Sequence, residues 1–341
     1  MSTPVLHGAA IAALRERLSA PRAIAITTHY NPDGDAMGSS LGLCGVLNKL
    51  GHRARVVLPN TPPRNLQWMP GYADAIAWDV GKDASERTVR GSDILFCLDF
   101  NRPDRVSGLE SALRAAKVKV LIDHHRDPDT FADIAFSDTS ASSTAQLVYE
   151  VVAALGHTDL IDEGAATDLF TGLMTDTGSF RFPSTTPRTL EIAAELLRRG
   201  AVPERIHEAV MDDNSESRLK LLGFALSERL TVHPELRTAV IVLSKADLDR
   251  FGYQPGDIEG LVNYGLGIRG VRLAAFIAER PDVVKLSLRS KGALPVNEFL
   301  TAHFSGGGHA NAAGGQSKEP LSAVTAKFMR ELPAFLAAHP A

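Results

Sequence analysis

Residues 23–35 read Ala23-Ile24-Ala25-Ile26-Thr27-Thr28-His29-Tyr30-Asn31-Pro32-Asp33-Gly34-Asp35. Four apolar residues in a row suit a short strand buried on both faces, the kind found in parallel sheets. The polar run that follows places a histidine and two aspartates within seven residues, where Pro32 and Gly34 favour tight turns. From Gly38 to Leu50 the apolar spacing becomes helical, and it closes at Gly51. Strand, polar loop and helix, in that order, form the repeating unit of a parallel α/β sheet.

The same order extends outward. Arg55–Leu58, Asp93–Leu98 and Lys117–Ile122 read as further strands, and Leu6–Leu18, Gly108–Ala116 and Thr144–Leu155 as helices. This alternation predicts an α/β domain over residues 1–186, a parallel sheet with helices on both faces. Ligands of such sheets lie outside the carboxyl ends of the strands. Beyond Pro187 the strands give way to helices at Thr189–Arg199, Pro203–Val210 and Ser215–Leu230, a helical connector over residues 187–230. Strands return at Ala239–Leu243, Val271–Ala278 and Val283–Leu288, which predicts a smaller mixed α/β domain over residues 231–341.

Composition narrows the functional classes. The chain has 341 residues, 44% hydrophobic and 22% charged, as in ordinary globular proteins. A formal net charge of −4 excludes a basic nucleic-acid coat, so phosphate recognition has to be local. Cys44 and Cys97 sit among apolar residues and read as buried, reduced thiols; a disulfide between these two is the only one available. The N-terminus lacks a signal pattern, and no apolar run approaches the roughly 20 residues a membrane helix needs. A cytoplasmic enzyme with no membrane partner is expected.

The chemistry gathers at element ends. One predicted strand runs into Asp99, the next into Asp123-His124-His125, and the apolar stretch Gly172-Leu173-Met174 leads to Asp176. Each has an ordinary explanation taken alone: Asp33 caps a helix, Asp99 turns with Asn101, the histidine pair decorates a loop, and Asp176 starts a helix. One parallel sheet, however, brings strand ends to one edge, and a shared centre is more economical than four separate caps. Asp33, Asp35, Asp99 and Asp176 would carry four negative charges there. Close carboxylates repel, and two divalent cations neutralise them. Carboxylates with neutral imidazoles suit manganese and tolerate magnesium. No Ser or Cys nucleophile with a matching base stands out. Near the C-terminus, Gly306, Gly307, Gly308 and His309 suit close backbone approach to an anion. Arg269 and Arg289, near predicted strand ends, are candidates for phosphate contact, with surface charge as the alternative. Trp68 and Trp78 read as core, and the other histidines, His52 among them, show no partner pattern.

The segments HYNPDGD (29–35), CLDFN (97–101), IDHH (122–125) and TDTGSF (175–180) resemble the four motifs of the DHH phosphoesterase superfamily. The stretch GGGHANAAG (306–314) is similar to the signature of its DHHA1 substrate-binding domain. Carried over by motif, the resemblance implies His29 and Asp33 as ligands of one metal and Asp35, His124 and Asp176 as ligands of a second. Asp99 would bridge them, His125 would stand beside the scissile phosphate, and Asp123 would orient an imidazole. Two divalent ions are implied, Mn2+ most often, with Mg2+ or Co2+ in some members. The best-matching subgroup is the bacterial nanoRNase type, which implies cleavage of very short RNA and dephosphorylation of 3′-phosphoadenosine 5′-phosphate (pAp). The implied partners are short oligonucleotides and small nucleotides rather than long duplexes, and a homodimer is permitted. The alternatives are a cyclic- or linear-dinucleotide phosphodiesterase and a metal-retaining nucleotide sensor without turnover.

Overall fold

The computed structural model describes residues 8–212, 214–254 and 256–340, and the chain divides into two units, 1–213 and 214–341. The first unit is built on six parallel strands: β1 (Ala23–Thr27), β2 (Arg53–Leu58), β3 (Ile76–Ala77), β4 (Ile94–Leu98), β5 (Lys119–Asp123) and β6 (Ile134–Ser137). Their order in space is β3-β2-β1-β4-β5-β6. Strand order therefore reverses between β1 and β4, and the crevice outside their carboxyl ends is where such sheets bind ligands. Its helices are α1 (Gly8–Arg17), α2 (Gly34–Lys49), α3 (Lys82–Gly91), α4 (Glu110–Arg114), α5 (Thr144–Leu155), α6 (Glu163–Asp176), α7 (Pro187–Arg198) and α8 (Pro203–Met211).

The buried strands split their side chains between two layers. Along β4, Ile94, Phe96 and Leu98 join the core under α2, α5 and α6, while Leu95 and Cys97 face the layer under α3 and α4. Each large apolar side chain so buried stabilises the fold by roughly 1.5–3 kcal/mol. On one face of α2, Gly34, Gly38 and Gly42 lie directly against Thr175, Asp168 and Leu169 of α6. With no side chains in the way the two helices run antiparallel at close range. That packing sets the first turn of α2 beside the last turn of α6.

The second unit holds α9 (Glu216–Glu228), β7 (Leu230–His233), β8 (Thr238–Leu243), α10 (Lys245–Arg250), α11 (Leu261–Leu266), β9 (Leu273–Glu279), β10 (Val284–Ser290), α12 (Val296–His303), β11 (Gly307–His309), β12 (Ala312–Ser317) and α13 (Leu321–Ala338). Its sheet, β11-β12-β10-β9-β8-β7, is mixed: β8 and β9 pair in parallel and the rest antiparallel. One face packs on α12 and α13, the other on α9, α10 and α11.

Several local expectations change. The predicted helix at 38–50 begins at Gly34, because Asp33 caps it. The predicted helix at 108–116 is a 3-10 turn, Pro103–Leu109, followed by α4, with Ser107 at φ 48 interrupting the helical path. Leu6 and His7 of the first predicted helix lie outside the described residues. The stretch 187–230 is shared between the units. Ile192, Leu196, Ile206 and Val210 from α7 and α8 enter the core of the first, and Leu221 and Ala225 of α9 enter the second. Trp68 is 38% exposed, its indole N–H donating to the Asn65 carbonyl. Both cysteines are free; Cys97 is buried and Cys44 half-buried.

Candidate metal centre

The loop after β1 supplies the first residues. His29 is buried and donates Nδ1–H to the Tyr30 carbonyl at 2.9 Å, which leaves Nε2 facing acids: 3.5 Å from Asp99 Oδ2 and 3.9 Å from Asp33 Oδ1. Asp33 is the N-cap of α2; its Oδ1 accepts from the amides of Asp35 and Ala36, both at 3.1 Å. The capping explanation is therefore true, and the same carboxylate also faces the acidic cluster. Asp35 lies in the first turn of α2, not in the loop, and is fully buried. Its carboxylate accepts from the amides of Thr144 (2.6 Å) and Ala145 (2.9 Å) at the start of α5, where the helix dipole favours negative charge.

Asp99 follows β4 with φ 64, a left-handed conformation that aspartate tolerates better than most residues. It is buried, and its Oδ1 accepts from the Thr144 hydroxyl at 2.9 Å. Beyond β5, His124 Nε2 stands 3.3 Å from Asp176 Oδ2, 3.6 Å from Asp99 Oδ1 and 4.0 Å from Asp35 Oδ2, with Nδ1 against the Ala141 carbonyl. His125 presents Nδ1 to Asp123 Oδ1 at 2.8 Å and lies 3.7 Å from Asp99 Oδ1. Asp176 does not follow a strand or start a helix. It is the last residue of α6, brought in by the close packing of α6 on α2.

The candidate ligand atoms thus fall into overlapping groups within 4.8 Å: His29, Asp33 and Asp99; Asp35, His124 and Asp176; Asp99, His124 and His125. Each of His29 and His124 turns one ring nitrogen to a backbone carbonyl and the other to the acids, the arrangement that fixes imidazole orientation at metal sites. Thr144 is the participant that sequence reading missed; no short-range signal marks it, since its partners lie 45 and 109 residues away.

The electrostatics ask for cations. Burial, then the charges of Asp99, Asp176 and Asp33, push the Asp35 carboxyl well above its ordinary range. Asp176 is pushed up to about 7, by burial first and then by Asp99 and Asp33 against the pull of His124. As the final residue of α6 it also meets the negative end of a helix dipole. Burial opposes charge on His29 and on Asp99 alike, yet their mutual hydrogen bond and attraction win. His29 rises to about 9, and Asp99, also drawn by His124 and His125, falls well below the usual carboxylate range. Burial lowers His125 but Asp123 and Asp99 more than offset it, so the ring holds its proton to higher pH than usual. A cluster in which buried carboxylates resist ionisation and compete for imidazolium protons suits divalent cations.

The second unit holds the remaining candidates. Gly307, Gly308 and His309 form the edge strand β11, paired with β12. Gly308 has φ +131, and a Cβ there would come within 2.7 Å of the Ala312 carbonyl. Gly306 likewise abuts the Gly314 backbone, while Gly307 faces open space. Arg289 is half-buried on β10, its guanidinium donating to the Leu288 carbonyl at 3.0 Å. Arg269 is exposed in the turn between α11 and β9. Among the described residues, no helix is long and apolar enough to cross a membrane.

A doubly wound parallel sheet, acids and imidazoles gathered at its switch point, and a second mixed-sheet unit together define a metal-dependent phosphoesterase architecture. The chain belongs to the DHH family: the family's N-terminal domain matches residues 23–173, and the DHHA1 domain matches residues 237–338. It is 32% identical over 295 residues to the bifunctional oligoribonuclease and PAP phosphatase NrnA of Thermus thermophilus, covering 86% of this chain and 84% of that protein. The Bacillus subtilis protein of the same name is 28% identical, with 85% and 88% covered. Among solved structures, an exopolyphosphatase-related protein from Bacteroides fragilis superposes with a TM-score of 0.95 at 35% identity, covering 98% of each chain.

Proposed function

We propose that this chain hydrolyses very short oligoribonucleotides to nucleoside 5′-monophosphates and dephosphorylates pAp to AMP. The observation that carries the reading is the pair of ligand groups, His29–Asp33–Asp99 and Asp35–His124–Asp176, with Asp99 within 3.6 Å of both His29 and His124. His29 and Asp33 would hold one divalent cation, Asp35, His124 and Asp176 another, and Asp99 both, with Mn2+ the ion best suited to this mixed set. When bound, such a pair acidifies an attacking water and neutralises charge at phosphorus. The chain's own residues then orient and stabilise. His125, whose hold on its proton Asp123 and Asp99 strengthen, would offer a ring N–H to a phosphoryl oxygen as charge develops. Thr144 holds Asp99, and the α5 amides hold Asp35, so the acids keep their positions. In the second unit, Gly306–Gly307–Gly308 with His309, together with Arg289 and Arg269, are the candidates for nucleotide contact.

The test is a comparison of kcat/KM for pAp, cyclic dinucleotides and an RNA series from the dinucleotide upward, using the full chain with Mn2+. Dinucleotides and pAp should be cleaved, and efficiency should fall at least about tenfold as RNA lengthens, a difference of ~1.4 kcal/mol. Absence of turnover on both, with metal shown to be bound, sinks the proposal. A preference for cyclic dinucleotides would move the substrate assignment to the phosphodiesterase alternative.

A further inference from the structure

At the opposite, amino end of the parallel strands lies a cavity of about 540 Å³. Ala23 at the start of β1, Arg53 at the start of β2 and Ser92 just before β4 mark its position. With ~3.3 Å of rise per residue, the length of β1, roughly 13 Å, separates it from the loop that carries His29. Its wall contains Arg53, Arg55 and Arg87, and no carboxylate. Arg53 and Arg55 are two residues apart on β2 and so project from one face, towards α3, which carries Arg87. Among the described residues, none of the three guanidiniums has an ion-pair partner or a side-chain hydrogen bond, although ion pairs are frequent elsewhere on the chain.

All three arginines are exposed, so their forks are available to an anion arriving from solvent. His52 forms part of the structural backing of this wall. It is only 6% exposed, and its Nδ1 accepts the Arg22 amide at 3.2 Å. Nε2 then carries the ring's proton, but it is buried behind the surface, so phosphate recognition rests on the three arginines. Arginine forks match the oxygens of a phosphate group, and the hollow, open to solvent on one side, has room for a small ligand. Ala23, Ile24 and Ala54 supply an apolar floor for whatever the phosphate is attached to.

We propose that this cavity is a second ligand site, separate from the metal centre, that binds a nucleotide-sized phosphate monoester through Arg53, Arg55 and Arg87. Such a site is independent of the reaction proposed above. The experiment is hydrogen exchange followed by mass spectrometry on the full chain with Mn2+, probed with AMP, inorganic phosphate and adenosine. Residues 52–56 and 86–92 should exchange more slowly with AMP, less so with phosphate, and unchanged with adenosine. In the Arg53→Ala/Arg87→Ala variant, half-maximal protection there should need at least tenfold more AMP, while any protection at 97–101 and 122–126 stays as in the parent. The single variant Arg55→Gln, which disturbs the fold least, should show a smaller shift in the same direction. Unchanged exchange at millimolar AMP, equal protection by adenosine, or equal protection in both variants would overturn the proposal. Because binding rather than turnover is read, a failed substrate assignment leaves this result intact.

Discussion

At the scale of single residues, the centre is a competition between desolvation and charge. Three imidazoles draw Asp99 towards the ionised form, whereas burial and the neighbouring acids push Asp35 and Asp176 towards the protonated one. Asp99→Ala should therefore remove most metal from the protein and lower turnover by about 10³-fold or more, read by metal analysis alongside kinetics. Retained turnover would deny Asp99 its shared role. Asp176 makes a thermodynamic prediction for protein stripped of metal. Its folded pKa, about 7, is raised above the ordinary 3.8, so its contribution is intact below pH 4 and is lost as pH climbs through 7. Asp176→Asn should then stabilise the stripped protein at pH 8 by on the order of 2 kcal/mol, with no difference near pH 4. Saturating Mn2+ should reverse the order at pH 8; thermal melts at both pH values decide. For His125, burial lowers the ring's pKa, and Asp123, through its hydrogen bond and charge, raises it together with Asp99. Asp123→Asn should shift the alkaline limb of the pH–rate profile to lower pH. An unmoved limb would separate His125 from the protonation that matters.

At the scale of elements, the decisive contact is α2 on α6. A Cβ at Gly172 would come within 2.6 Å of the Ala145 Cβ and 2.8 Å of Asp35 Oδ1. Gly172→Ala should cost about 1–3 kcal/mol through overpacking and, by displacing Asp35, weaken Mn2+ binding as well. Melting temperature and metal titration would test both; a change in stability with unaltered metal affinity would show that Asp35 is not displaced. This contact also explains what the sequence hid. His29, Asp33, Asp99, His124 and His125 were legible because each follows a strand whose apolar run is visible. Asp176 was legible as a residue but not in its setting, since only tertiary packing reveals that it closes a helix. Thr144 carried no signal at all. β3 and β6 escaped because two and four half-buried or alternating residues give too little pattern. The glycine run was read as a loop built for a ligand, yet Gly306 and Gly308 also answer to the crowding of their own hairpin.

At the scale of the whole molecule, the candidate residues fall into two sets: the clustered acids and imidazoles in the first unit, and the glycine run with Arg289 in the second. If the second recognises substrate and the first transforms it, Arg289→Ala should raise KM for dinucleotides several-fold, a loss of ~1 kcal/mol or more in binding, with kcat nearly unchanged. An equal fall in kcat and kcat/KM would instead tie Arg289 to the transition state. One feature of the first unit governs how quickly such a protein becomes active. Asp33 is already engaged by the opening amides of α2, and Asp35 by those of α5. Incoming ions meet carboxylates anchored in advance, with no segment left to fold around them. Activation on mixing with metal should consequently keep pace with the shedding of hydration water by the ion, and respond to the choice of ion more than to temperature-dependent rearrangement of the polypeptide.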